Sequence, residues 1–317
     1  MKTPDRVLIT GATGCAGSHL SELALARGCR VFGIARRGPF VPGVKGRLGD
    51  VSRREEVADW LARCRPDRVF HLAALVHGSG AHSPEDLLRV NVGGTHVLLE
   101  AVRETVPEAR VLVAVSSGIY GESLETGRPI VESAPFEPRS LYAVTKAAQD
   151  LMAAQFFRAY GLHTVRARTF NQTGPREPKG LVCATVARQV ARIEAGLQLP
   201  VLRVIELRSR RDFCDVRDVV AGYWAALESG AAGEAYNICS GKSHGIREVV
   251  DLLLAMARVP AVTVEEARPS PDPGAVHDQT GDFSRLNARA GWAPVIPFEA
   301  SLRDLLDEWR LKVRSGA

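Results

Sequence analysis

The sequence has little that would staple, anchor or disorder a chain. Its six cysteines, Cys15, Cys29, Cys64, Cys183, Cys214 and Cys239, include no C-x-x-C pair and no zinc-ligand spacing. Neither a disulfide scaffold nor a metal site is expected, and the thiols read as small apolar residues in a reducing compartment. No apolar run approaches the ~18 residues that a membrane span needs. Met1-Lys2-Thr3-Pro4-Asp5-Arg6 leads into a strand without a signal-peptide core. The expectation is a cytoplasmic protein without membrane contact. Basic residues exceed acidic ones by only 41 − 36 = 5, and they are dispersed. A nucleic-acid binder carries a dense basic stripe instead, so no nucleic-acid partner is expected. A few arginines serving the phosphates of a small ligand would account for the same excess.

What is present is the balance of a folded protein. The chain has 317 residues, 45% hydrophobic and 24% charged. At about 150 residues per domain, that length suggests two domains. The first half alternates β-branched runs with amphipathic stretches. Strands are expected at 7–10, 30–35, 69–72, 110–116 and 163–168. Helices are expected at 18–27, stopped by Gly28, at 55–64, within 84–105 and at 141–160. Such alternation specifies an α/β fold with a parallel sheet covered on both faces. The second half reads as less regular, with loops at 268–281 and helices at 247–258 and 298–312.

Gly11-Ala12-Thr13-Gly14-Cys15-Ala16-Gly17 joins the first strand to the first helix. In a G-x-x-G-x-x-G turn of this placing, Gly11 permits the tight turn and Gly14 lets backbone approach a pyrophosphate. Gly17 lets the helix pack close to the sheet. The helix N-terminus then faces the phosphates. The second strand ends in Ile34-Ala35-Arg36-Arg37, where an NAD site would carry an acid for the ribose 2′-hydroxyl. Two guanidinium groups suit a 2′-phosphate, so NADPH is expected over NADH. The alternative is a pair of solvated surface arginines. Asp50, followed by Val51, closes a third strand; its carboxylate can accept from an adenine amino group or cap the next turn.

Tyr142 and Lys146 lie four positions apart on an expected helix, hence on one face. An ammonium beside a phenol lowers its pKa and makes it a usable proton donor or acceptor. Ser116-Ser117-Gly118-Ile119-Tyr120-Gly121 stands at the end of a strand, where open α/β sheets bind ligands.

These motifs together resemble the extended short-chain dehydrogenase/reductase family, in its nucleotide-sugar-modifying branch. The likeness also takes in Gly49-Asp50, His71-Leu72-Ala73-Ala74, Asn91-Val92-Gly93-Gly94-Thr95, Phe170 to Pro175, and Arg211-Asp212-Phe213 with Asp215 to Asp218. The resemblance implies a Rossmann-type doubly wound parallel sheet, with a smaller C-terminal substrate domain. The dinucleotide domain would take residues 1–170 plus about 212–240, and the sugar-nucleotide domain about 171–211 and 241–317. It implies Ser116, Tyr142 and Lys146 as catalytic residues, with Ser117 as the fallback. Cofactor contacts would come from Gly11, Thr13, Gly14, Gly17, Arg36, Arg37, Asp50, Val51, Ala73, Ala74, Tyr142 and Lys146. Substrate contacts would come from His77, Ser117, Asn171, Arg211 and Arg268. A homodimer through the helices at 84–105 and 141–160 is implied as well.

The branch holds reductases, epimerases and 4,6-dehydratases. Dehydratases carry an acid just after the catalytic hydroxyl, where this chain has Ser117 and Gly118. Leu141 to Gln149, Phe170 to Pro175 and Leu302 to Leu306 resemble reductases of GDP-linked 4-keto-6-deoxymannose. The implied reaction is NADPH-dependent reduction of the C4 ketone, to GDP-D-rhamnose, with a nucleotide-sugar 4-epimerase as the alternative. Leu75-Val76-His77 and Val204-Ile205-Glu206-Leu207 depart from the family pattern and are expected to line the substrate pocket.

Overall fold

The computed structural model describes residues 4–76, 82–121, 128–259, 261–267 and 278–316. The first half runs β1 (Arg6–Thr10), α1 (Cys15–Ala26), β2 (Arg30–Ala35), β3 (Lys45–Leu48), α2 (Arg54–Cys64), β4 (Arg68–His71), α3 (Pro84–Leu87), α4 (Gly94–Thr105), β5 (Arg110–Ser116), α5 (Leu141–Tyr160) and β6 (Thr164–Thr169). The second half adds β7 (Asn171–Thr173), α6 (Val182–Glu194), β8 (Val201–Val204), β9 (Arg210–Asp215), α7 (Val216–Ser229), β10 (Ala235–Ile238), β11 (Ser243–Gly245), α8 (Ile246–Ala255), β12 (Thr263–Glu266), α9 (Ser284–Ala290) and α10 (Phe298–Arg314).

Seven strands form one sheet in the order β10-β6-β5-β4-β1-β2-β3. Every pairing in it is parallel. Both faces are buried, which is why β1 reads as the apolar run Val7-Leu8-Ile9. The period of two sorts its side chains. Leu8 packs with α2, α4 and α5 through Leu61, Leu98 and Phe156. Val7 and Ile9 pack with α1 and α7 through Leu20, Val219 and Tyr223. A third core lies between α6, α8 and α10, around Val186, Val250, Leu302 and Leu305. It is flanked by a three-stranded sheet, β11-β9-β7, and a two-stranded one, β12-β8.

Three features differ from the expected elements. Helix α1 begins at Cys15 rather than residue 18, because its small first-turn residues carry no apolar stripe. The helix expected within 84–105 is interrupted by π-helical winding at Leu88–Gly93. Asn91 in that segment bonds both Leu75 N (2.8 Å) and Leu75 O (3.1 Å), and also Thr145 Oγ1 (3.0 Å). The second half is more regular than it reads. In α7, Gly222 looks helix-breaking, but a Cβ there would meet the Trp292 ring at 2.9 Å. Among the cysteines, Cys64, Cys183, Cys214 and Cys239 are buried, while Cys15 and Cys29 are half-buried, and all six are free thiols.

Candidate active site

The turn from β1 to α1 is built by close contact. Gly11 has φ +70°, and a Cβ there would lie 3.0 Å from the Ala73 backbone. Its N–H donates to Ile34 O at 2.8 Å, and Gly14 N donates to Gly11 O at 2.9 Å. A Cβ on Gly17 would fall 2.1 Å from Gly11 O, so no other residue fits without moving backbone. Gly14, the residue before α1, supplies no capping side chain. The first-turn amides are therefore left to face an anion.

A cavity of about 300 Å³ opens over this turn, with Gly11, Thr13 and Gly14 at its floor. Arg36 and Arg37 stand at one side, Asp50 and Val51 beside them, and Ala73 and Ala74 at the other. Both arginines are exposed. Asp50 accepts from Ser52 N (2.9 Å), Ser52 Oγ (2.8 Å) and Arg89 Nη1 (3.0 Å). Burial pushes its carboxyl up, but those donors outweigh burial and hold it below the usual value. Leu75, Val90 and His82 complete the walls. Leu75, from the segment expected to line the substrate pocket, borders this cavity. His82 escaped the sequence reading because it stands in a loop outside every motif. His77 lies outside the described residues.

Ser140 accepts from Ala143 N (3.2 Å) and starts α5, which sets Tyr142 in the first turn and Lys146 one turn on. Ser116, at the end of β5, neighbours the half-buried Tyr142 phenol closely enough to pull its pKa down, and its hydroxyl accepts from Gly118 N at 3.2 Å. Ser117 is buried within the following turn. The Lys146 ammonium donates to Ala114 O at 2.9 Å. The expected lowering of the phenol by the lysine does not hold in this arrangement. Burial pushes Tyr142 up to about 12, against a downward pull from neighbouring Ser116. Burial also pushes Lys146 down to about 7. Nearby His71 is pushed down to about 3, by burial and then by Lys146. Its ring sits between Thr10 Oγ1 (2.8 Å) and Thr95 Oγ1 (2.9 Å).

A second cavity, of about 220 Å³, is lined by α6 and the end of β8, including Val182, Thr185, Val204, Ile205, Glu206 and Arg211. The segment Val204 to Glu206 thus borders a cavity with Arg211. Burial lowers the Arg211 guanidinium from its ordinary value, against an upward pull from Glu206. Asn171 Nδ2 is engaged within the protein, by Gln279 Oε1 at 2.9 Å and Asp212 O at 3.5 Å. Arg268 lies outside the described residues. Thr185 and the α6 valines had no motif to announce them; only the packing of α6 brings them to Arg211. Among the described residues no group of three or more His, Cys, Asp or Glu could hold a metal. No helix there is long and apolar enough to cross a membrane.

The sheet order explains how the first cavity and the Ser116–Tyr142 pair are related. From β3 through β2, β1 and β4 to β5 are four strand spacings, about 19 Å. One extended ligand along the C-terminal strand ends would meet Arg36 and Arg37, then the glycine turn, then Tyr142. The cradle that a Cβ would fill, the uncapped amides and the two exposed arginines fit a phosphorylated dinucleotide.

Comparison with known proteins agrees with this arrangement. The family pattern described as GDP-mannose 4,6 dehydratase matches residues 8–305. A GDP-6-deoxy-D-mannose reductase of Pseudomonas aeruginosa is 33% identical over 316 residues, covering 98% of this chain and 99% of that protein. GDP-mannose 4,6 dehydratase 1 of Arabidopsis thaliana is 29% identical over 95% of this chain and 88% of its own length. The solved structure of RMD from P. aeruginosa complexed with NADPH superposes with a TM-score of 0.82 and 31% identity, over 97% of this chain and 99% of that one. A UDP-glucose 4-epimerase of Thermus thermophilus, solved with NAD, gives 0.84 and 30%, over 96% and 99%. The fold, the motifs and these relatives place the chain in the GDP-mannose 4,6-dehydratase family of extended short-chain dehydrogenase/reductase enzymes.

Proposed function

We propose that this protein reduces the C4 ketone of a nucleotide-linked 4-keto-6-deoxy sugar, with NADPH as reductant and GDP-4-keto-6-deoxy-D-mannose, giving GDP-D-rhamnose, as the favoured substrate. The observation that carries the reading is the placing of Ser116 at the C-terminal end of β5 beside Tyr142 at the start of α5, in line with a cavity that ends in Arg36 and Arg37. The absence of a carboxylate at Ser117 and Gly118 argues against expulsion of the C6 hydroxyl, the step that a dehydratase adds.

The dinucleotide would lie with its 2′-phosphate by Arg36 and Arg37 and its diphosphate over Gly14, on the amides of the first turn of α1. When bound, it supplies the hydride. Ser116 Oγ holds the ketone oxygen, and Tyr142 gives that oxygen its proton as the alcohol forms. Lys146, one turn further along α5, would hold the nicotinamide ribose and, with the cofactor bound, offset the charge left on Tyr142. Arg211, half-buried at the second cavity, is the residue for the sugar nucleotide's diphosphate. The seven-stranded sheet with its two cores is read as the cofactor domain, and the third core as the sugar-nucleotide domain.

The test is the loss of reduced-nicotinamide absorbance with GDP-4-keto-6-deoxymannose, using NADPH and NADH side by side. NADPH is expected to be preferred, and Tyr142→Phe to lower kcat by about 10²–10⁴-fold with the fold intact. Replacing Arg36 and Arg37 by Ala should raise KM for NADPH by about tenfold or more and leave KM for NADH unchanged. No turnover of either cofactor, with dinucleotide released on denaturation, would move the assignment to an epimerase.

A further inference from the structure

The four residues after β7, Gly174-Pro175-Arg176-Glu177, touch three helices at once. Toward α1, the Pro175 carbonyl accepts from His19 Nε2 at 3.0 Å and from Cys15 Sγ at 3.6 Å. Arg176 Nη2 grips both oxygens of Glu22, each at 2.7 Å. Toward α10, Arg176 N donates to Glu308 Oε2 at 2.5 Å. Toward α6, the buried Glu177 carboxyl accepts from Ala184 N at 3.4 Å, while Thr173 Oγ1 donates to it at 2.6 Å. The backbone is bent to make these contacts. Gly174 has φ +123°, and Arg176, a non-glycine residue, has φ +67°. A side-chain-bearing residue holds that conformation only when its surroundings over-determine it, and such strain gathers at ligand clamps and switches.

Gly14 of the first cavity immediately precedes α1, and α6 carries Val182 and Thr185 of the second. We propose that this hook makes occupancy of one cavity favour occupancy of the other, with Arg176 as the positioning residue whose grip on Glu22 transmits the effect. The proposal rests on the reading of the two cavities as dinucleotide and sugar-nucleotide sites. The physical basis is the shortness of the segment. Because these four residues bond three helices, a shift of α1 toward a diphosphate would be passed through Glu177 to the α6 N-terminus. An exposed ion pair adds little to stability, and Arg176 and Glu22 are 36% and 46% exposed. Breaking it therefore should spare the fold and reveal the coupling.

The experiment measures the Kd of NADPH by nicotinamide fluorescence, alone and with saturating GDP, on the full chain. GDP is expected to tighten NADPH about fivefold or more, and NADPH to tighten GDP by the same factor, since linkage is reciprocal. Arg176→Ala and, independently, Glu22→Gln should bring that factor to within about twofold of unity while each ligand alone still binds. Exchanging the charges, Arg176→Glu with Glu22→Arg, should restore it. A factor of unity in the wild type, or full coupling retained in both single variants, overturns the proposal. Should Arg176→Ala unfold, Glu22→Gln decides alone. If NADPH and GDP both bind but independently, the coupling fails and the functional reading stands; if neither binds, both fail.

Discussion

The Lys146 ammonium is buried and donates to the carbonyl of Ala114, at 2.9 Å. Burial lowers its pKa from 10.5 to about 7. The sign of the consequence follows from linkage. Between those values the unfolded chain binds a proton that the folded chain does not, so stability rises with pH across that window. Below about pH 7 the lysine costs the fold at most about 5 kcal/mol, at about 1.4 kcal/mol per unit. Lys146→Met is therefore expected to abolish turnover and yet raise the denaturation midpoint at pH 7. That gain should shrink as pH climbs toward 10.5, where wild type and variant converge. Denaturant titrations at several pH values check it; equal midpoints at pH 7 would show that the lysine is not penalised by burial. The sequence placed Tyr142 and Lys146 on one face, because that needs only the helical period. It misjudged their ionisation, because desolvation depends on what α5 packs against.

At the scale of elements, the glycine turn shows how a motif becomes a geometry. Each glycine answers to a specific neighbour: Gly11 to the Ala73 backbone and Gly17 to the carbonyl of Gly11. Gly17→Ala drives a methyl into backbone that has no room to yield. A loss of about 1–3 kcal/mol is expected, the range for overpacking, together with weaker NADPH binding. Thermal denaturation and fluorescence titration measure the two effects, and an unchanged pair of values would contradict the close approach. The turn was legible because strand, glycines and helix are contiguous in sequence. The second cavity was only partly so. Val204 to Glu206 stood out as a departure from a pattern, but Thr185 reaches the same cavity through the packing of α6 against β8.

At the scale of the molecule, exposed apolar side chains remain on α5 and on the π-helical segment. Leu141, Val144 and Leu151 recur on one side of α5, and Leu88 lies exposed at the π-helical segment. We propose that a second copy of the chain covers them, giving a homodimer. Solution mass should be twice that of one chain, and Leu151→Glu, at a position 59% exposed, should halve it without unfolding the protomer. A monomeric wild type would refute the dimer.

The sequence by itself determined the sheet's alternation, the phosphate-facing turn, the Arg36–Arg37 pair and the spacing of Tyr142 and Lys146. All of these are local, set by periods of two and 3.6 and by glycine's freedom. Only the tertiary structure decided which distant segments share a cavity, which buried groups lose their charge, and how Arg176 is bent to reach Glu22 and Glu308 at once. The physical reason is that burial and close contact are properties of packed neighbours, and those neighbours lie scores of residues apart along the chain.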